Sequence, residues 1–321
     1  VVTNSPPAKR RNRRMKILVF GGAGFIGHHL VNQLQHKHDV CIYDNFTVFG
    51  LHAEYLKREL IQKRTEQWYN VDTVSGSVIE NSLIQHTFET FKPDVVVNLA
   101  AYPRVSLSEK YPVLSAEGMI QGLINTMNYP IKKYVHVSSS NVYGNYQDDA
   151  DESSLCAPIN LYGSLKLTQE YLIKSNAKIK GFAYNILRPI CVFGNYDLGD
   201  RLVPKFIKQA INNEDIFYAQ DTTTDITYVS DMIQAMQLSI ESDVDNETFN
   251  VSSEHTVTLK QLAEHIVSYY KSNSKMIPVS REKYFPNRGS LKIDKLKNLL
   301  NYERQFDLHK ALEHLDAGSI Y

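Results

Sequence analysis

Apolar positions along the chain fall into short continuous runs separated by stretches with helical spacing. Lys16-Ile17-Leu18-Val19-Phe20 forms the first run and ends at Gly21-Gly22-Ala23-Gly24-Phe25-Ile26-Gly27, after which Phe25, Ile26, Leu30, Val31 and Leu34 recur at helical spacing. The pattern predicts a strand, a glycine turn and a helix. A second run, Val40-Cys41-Ile42-Tyr43, ends at Asp44 and completes a βαβ unit of about 30 residues. The same alternation predicts strands over 68–74, 94–99, 133–137 and 181–187, and helices over 79–91, 113–127 and from Tyr162 to about 175. Continuous apolar strands separated by helices mean a parallel sheet covered on both faces.

Beyond Arg188-Pro189 the pattern loosens into helices over 202–211, 231–241, 259–270, 293–300 and 308–315, with short strands near Ile216 and Phe249. The expected architecture is therefore α/β: a Rossmann-type doubly wound parallel sheet over 15–187 and a smaller mixed α/β substrate lobe over 188–321. Within that second half, about 225–250 is expected to pack back on the first domain. Residues 1–14, with Pro6-Pro7 and a basic run, have neither period nor core positions and read as a disordered tail. A nuclear-import or polyanion-binding tag is the alternative for them.

Charge and composition then narrow the class. Lys+Arg and Asp+Glu both total 35, so no general electrostatic case exists for nucleic acid. Cys41, Cys156 and Cys191 are odd in number and lack any CxxC spacing, which argues against a disulfide framework or zinc site and for a reducing compartment. No apolar run reaches the roughly 20 residues that span a bilayer, so no membrane partner is expected and the location reads as cytoplasmic. His28-His29 has no third ligand at useful spacing, and no metal is expected.

The glycine turn is a candidate for chemistry, because exposed N–H groups and the helix dipole at such a turn attract a pyrophosphate. Gly21 makes the tight turn, Gly24 lets backbone approach phosphate, and Gly27 lets helix and strand pack closely. Asp44, ending the second strand, suits the ribose hydroxyls of an adenosine and repels a 2′-phosphate, which points to NAD over NADP. Tyr162 and Lys166 lie one helical turn apart, so their head groups can converge on one atom. A tyrosine holds its proton to about pH 10. A tyrosine base at neutral pH therefore needs nearby positive charge, and Lys166 and an oxidised nicotinamide would supply it.

These residues, taken in order, carry a resemblance. With GGAGFIG, Asp44-Asn45-Phe46, Asn98-Leu99-Ala100-Ala101, Ser138-Ser139-Ser140-Asn141-Val142-Tyr143-Gly144, Tyr162-xxx-Lys166, Arg188-Pro189-Ile190-Cys191-Val192-Phe193-Gly194, Tyr228-Val229-Ser230-Asp231 and Phe249-Asn250-Val251, the chain resembles an extended short-chain dehydrogenase/reductase of the NAD-dependent epimerase/dehydratase family. The match covers nearly all of 15–315. It implies a catalytic set of Ser139, Tyr162 and Lys166. It implies an NAD site of Gly21, Gly24, Phe25, Ile26, Gly27, Asp44, Asn45, Leu99, Ala100 and Ala101 together with Tyr162 and Lys166. It also implies a nucleotide diphosphate sugar as substrate, held by Ser140, Asn141, Cys191, Arg201 and Arg288, with Arg288 on the diphosphate. A homodimer built on the 113–127 and Tyr162 helices is a further implication.

Within that family the two positions after the catalytic hydroxyl separate activities. Sugar 4,6-dehydratases usually carry Asp-Glu there, whereas this chain carries Ser140 and Asn141, neither able to act as a carboxylic acid or its base. The expectation is an isomerase, a UDP-sugar 4-epimerase with recycled NAD. A dehydratase or reductase of the same family, and a catalytically idle NAD-binding sensor or scaffold, remain open. Met119, Cys191, Thr224 and Ser77 depart from the family pattern, so sugar and base stay undetermined. Tyr102 and Tyr143 are candidates to line the sugar pocket, while Asp225 and Asp231 read as local structural caps.

Overall fold

The computed structural model describes residues 13–321. Of the expected tail over 1–14, residues 1–12 lie outside the described residues, and Arg14 turns its guanidinium onto Asp39 at 2.6 Å. From the amino end the elements are β1 (Lys16–Phe20), α1 (Phe25–Leu34), β2 (Asp39–Asp44), α2 (Glu54–Thr65), β3 (Val71–Ser75), α3 (Asn81–Phe91) and β4 (Val95–Asn98). There follow α4 (Val105–Lys110), α5 (Pro112–Ala116), α6 (Gly122–Thr126), β5 (Lys133–Val137), α7 (Leu161–Lys180) and β6 (Ala183–Pro189). The second half adds β7 (Val192–Phe193), α8 (Leu202–Ile211), β8 (Ile216–Ala219), β9 (Thr223–Thr224), β10 (Thr227–Tyr228), α9 (Val229–Glu241) and β11 (Glu247–Val251). The chain closes with β12 (Val257–Thr258), α10 (Leu259–Tyr269), β13 (Met276–Val279), α11 (Asp294–Leu300) and α12 (Leu308–His314).

Seven parallel strands form one sheet in the order β11-β6-β5-β4-β1-β2-β3, a Rossmann-type doubly wound fold. Strand alternation sends Ile17 and Val19 of β1 to one face and Leu18 and Phe20 to the other. The first pair packs with Leu30 of α1 and Met232 of α9, and the second with Phe88 of α3 and Ile173 of α7. All four β1 side chains are buried, as a sheet covered on both faces requires. Chain order reverses at β1, which pairs with β2 on one side and β4 on the other. A crevice opens there at the carboxyl ends of the strands, where α/β proteins bind ligands.

Three features differ from the sequence expectation, each with a physical cause. Helix α2 went unpredicted because only Leu60 and Arg64 of its twelve residues are buried, too thin a stripe to give a period. Strand β3 begins three residues later than expected; it sits at the sheet edge with no fully buried side chain, so its alternation is weak. The expected helix over 113–127 is broken into α5, a π segment at Glu117–Gln121 and α6. Inside that break the Met119 carbonyl accepts from the Gln169 amide at 2.7 Å, outside the helical ladder. The strand near Phe249 is β11, and it extends the large sheet beside β6.

Beyond the large sheet, the second half adds α8 and α10 packed on the parallel β8–β13 pair, together with the antiparallel β9–β12 pair and the parallel β7–β10 pair. Among the described residues no helix is long and apolar enough to cross a membrane.

Candidate active site

A cavity of about 810 Å³ runs from the glycine turn to the β8–β13 pair. Gly21 has φ +79°, and a Cβ there would lie 2.8 Å from the Ala100 nitrogen. At Gly27 a Cβ would overlap the Gly21 carbonyl oxygen, so only glycine lets α1 approach β1 this closely. The Asp44 carboxylate accepts from the Ala23 N–H at 2.9 Å and the Phe46 N–H at 2.7 Å. Burial raises the Asp44 carboxyl, and those N–H groups oppose the shift. Phe25, Ile26, Asn45, Leu99, Ala100 and Ala101 also face the cavity, so every residue expected at the cofactor lines one continuous wall. A glycine turn opening a helix, backed by a strand-end carboxylate and open to a cavity of this size, fits a dinucleotide.

Arg64, which the sequence reading did not single out, lies beneath that turn at 4% exposure. Its Nη1 donates to the Ala23 carbonyl at 3.2 Å and its Nη2 to the Tyr196 carbonyl at 2.8 Å, joining the glycine turn to the second half of the chain. No sequence signal marked it, because its helix has no apolar period.

At the end of β5 the backbone is extended at Ser139, whose Oγ accepts from the Asn141 N–H at 3.2 Å and the Asn141 side-chain amide at 3.0 Å. Helix α7 starts at the Asn160 cap, which accepts from the Gly163 N–H at 2.7 Å and sets Tyr162 in the first turn. The Ser139 hydroxyl lies near enough to the Tyr162 phenol to favour its ionised form. Burial pushes the Tyr162 phenol up to about 12, against the pull of Arg201 and of that hydroxyl. Lys166 is 3% exposed; its Nζ donates to the Val137 carbonyl at 2.8 Å and stands 5.9 Å from the Tyr162 ring centroid. Burial lowers the Lys166 ammonium to about 7, with Glu170 opposing. Arg201 is the cation that pulls on the Tyr162 phenol from the cavity side.

The expected substrate residues divide. Asn141, Cys191, Arg201 and Arg288 face the cavity with Thr224 and Tyr102. Ser140 does not: it is completely buried behind the wall, and its Oγ accepts from Arg288 Nη1 at 3.3 Å. Tyr143 is also turned away, donating to Asn250 at 2.8 Å and accepting from Arg188 at 2.8 Å. Cys191 adopts φ +36°, a strained value for a side-chain-bearing residue. Arg201 lies over the Phe25 ring at 5.7 Å and pairs with Asp197 at 3.6 Å. Arg104, from the segment after β4, forms an ion pair with Asp200 across the cavity. Asp225 accepts from Ser253, and Asp231 from the Gln305 and Phe306 N–H groups, so both tie loops together.

Comparison with known proteins adds to this geometry. A family model described as the NAD dependent epimerase/dehydratase family matches residues 17–252. A dTDP-D-glucose 4,6-dehydratase of Dictyostelium discoideum is 28% identical over 272 residues, which cover 79% of this chain and 62% of that protein. A Bacillus subtilis protein described as an uncharacterized UDP-glucose epimerase is 28% identical, with 96% of this chain and 99% of that protein covered. The crystal structure of a UDP-glucuronic acid 4-epimerase from Bacillus cereus, in complex with UDP-glucuronic acid and NAD, is 26% identical. It superposes with a TM-score of 0.84, covering 94% of this chain and 97% of that one.

Proposed function

Because the chain belongs to the NAD-dependent epimerase/dehydratase family, we propose that it is a UDP-sugar 4-epimerase working through a 4-keto intermediate. The observation that carries this reading is the pair following Ser139. Ser140 is a buried hydroxyl committed to Arg288, and Asn141 gives its amide to Ser139. Neither can shuttle the proton that elimination of water demands.

The cofactor of this family is NAD, which when bound accepts hydride from the sugar carbon and returns it. Tyr162 takes the proton of the sugar 4-hydroxyl and later gives it back. Ser139 orients that oxygen, using the hydroxyl that lies near the Tyr162 phenol. Arg201 favours the phenolate by charge, and Lys166 adds to it when protonated. Arg288 holds the diphosphate bidentately, leaving the sugar free to turn over between the two half-reactions. We further propose that two copies pair through α5 and α7, whose Val113, Leu114 and Tyr171 are 75, 49 and 64% exposed.

Incubation of the NAD-loaded protein with UDP-glucose, UDP-N-acetylglucosamine and UDP-glucuronic acid, followed by proton NMR, tests the reading. A 4-epimer from one of them, with no net change in NADH absorbance, is expected. The Dictyostelium relative favours 4,6-dehydration as the second reading. Loss of one water from a dTDP- or UDP-sugar, in place of a 4-epimer, would establish it instead.

A further inference from the structure

Helix α7 carries a third polar side chain in line with Tyr162 and Lys166. Glu170, one turn beyond Lys166, is completely buried. Its Oε2 accepts from Arg188 Nη2 at 2.6 Å, while its Oε1 accepts from Arg188 Nε at 2.9 Å and from the Ser138 hydroxyl at 2.6 Å. Ser138 also donates its backbone N–H to the Leu187 carbonyl of β6 at 2.7 Å.

Ser138 occupies a particular place in the chain. On one side stands Val137, whose carbonyl receives the Lys166 ammonium; on the other stands Ser139, whose Oγ faces Asn141 at 3.0 Å on the cavity wall beside the Tyr162 phenol. A displacement of Ser138 therefore moves the acceptor of one candidate catalytic group and the neighbour of another together. A hydroxyl donating to a carboxylate at 2.6 Å is the short, charge-assisted kind of hydrogen bond.

We propose that Glu170, anchored by Arg188, is a positioning residue that grips Ser138 and so fixes the 137–139 segment against α7, aiming Ser139, Tyr162 and Lys166 at one reacting oxygen. The inference rests on the reading of those three residues as the catalytic set. It explains why a buried ion pair persists at this point, since such a pair alone adds little stability over apolar packing. The surroundings agree with it. Of the groups around Lys166, Glu170 is the anion acting on it. His136 of β5 faces Lys166 as a neutral ring, held well below its usual range by burial. Lys174 stands 3.9 Å from Glu170, and Arg188 closes the far side from β6.

Ser138→Ala removes the link to the strand end and leaves the Glu170–Arg188 pair in place. In the NAD-loaded, full-length protein, kcat is expected to fall roughly tenfold while KM and NAD retention stay within about twofold, as for a small misplacement of reacting groups. Ser138→Thr, which keeps the hydroxyl, is expected to recover most of the rate. A second readout needs no turnover: with 3-fluorotyrosine incorporated, the Tyr162 ¹⁹F resonance, identified by its loss in Tyr162→Phe, is titrated with pH. Its midpoint is expected to rise in Ser138→Ala and in Glu170→Gln. An unchanged midpoint and unchanged kcat in Ser138→Ala would overturn the inference. Absence of turnover in the wild type on every sugar nucleotide tried would instead sink the functional reading, and the ¹⁹F comparison would still decide the positioning role.

Discussion

Lys166 gives its ammonium to the carbonyl of Val137 at 2.8 Å. One backbone acceptor does not replace the water lost by a cation at 3% exposure, and burial accordingly lowers the ammonium to about 7. A lysine in that state switches charge within the working range of pH, and its protonation depends on what occupies the cavity beside it.

The first prediction concerns stability. In the unfolded chain Lys166 titrates near 10.4, and in the folded protein near 7. Between those values the unfolded chain binds more protons, so stability rises with pH across that window on account of this group. The cost of burying the charge is full below pH 7 and fades above it. Urea unfolding of NAD-free protein at pH 7.0 and 8.5 is expected to show a gain that is smaller in Lys166→Met. Equal gains in the two proteins would contradict the assignment.

A second prediction follows from Arg201. The Tyr162 phenol is pushed up to about 12 by burial, with Arg201 foremost among the groups pulling it back. Arg201→Gln removes that pull, so the ascending limb of kcat against pH moves to higher pH. The rate deficit is therefore larger at pH 7 than at pH 9. Arg201→Lys keeps a charge and is expected to show a smaller displacement. Coincident pH profiles for wild type and Arg201→Gln would show that the guanidinium does not act on the phenol.

Sequence alone carried the parts of this molecule whose cause lies within a few neighbouring residues. The glycine turn is legible because Gly27 answers to Gly21 and Gly22 inside one turn, although the close approach of Gly21 to Ala100 is made across the sheet. Strands β1, β4 and β5 are legible because burial on both faces demands continuous apolar runs. Tyr162 and Lys166 share a helix, and their spacing alone suggests convergence. By contrast, Ser140 and Tyr143 look like neighbours of the candidate site in sequence, yet the tight turn after Ser139 rotates both away from the cavity. The action of Arg201 on Tyr162 and the Arg104–Asp200 pair join segments far apart in the chain, and no local pattern encodes them. Glu170 stood in register with Lys166, but its partner Arg188 comes from another element, and only the fold brings them together.

A third prediction concerns retention of the cofactor. The Arg104–Asp200 pair bridges the cavity, and Phe49 lies tilted against Tyr102 beside it with centroids 4.4 Å apart. Both segments border the cavity, so their separation is expected to precede release of a ligand bound beneath them. Asp200 is half exposed, so the pair is weak and salt-sensitive. Asp200→Asn or Arg104→Ala is expected to speed NAD loss by about two- to fivefold, the range of an exposed ion pair. Raised NaCl should speed release from wild type and leave the variants little changed. Release of NAD followed by its absorbance during rapid desalting measures this, and identical rates in 0.05 and 1 M salt would count against it.

The last prediction separates binding from chemistry at Arg288. This side chain enters the cavity from a segment bolted in place from both sides: the Tyr146 N–H donates to the Asn287 carbonyl at 3.2 Å, and the Gly289 N–H to the Tyr146 carbonyl at 3.0 Å. Ser140 takes one guanidinium hydrogen, and the buried Nε has no partner, so donor capacity remains for an anion. If that anion is the substrate diphosphate, the contact persists unchanged while the sugar carbon reacts, and it contributes equally to ground state and transition state. Arg288→Met is then expected to raise KM about 10- to 100-fold with kcat within a few-fold of wild type. Ser140→Ala removes only a guide for the guanidinium, so its KM rises by about two- to fivefold, the effect of one modest hydrogen bond. A fall in kcat as large as the rise in KM for Arg288→Met would mean that the guanidinium serves the reacting end of the sugar, and the substrate would have to lie in the opposite direction along the cavity.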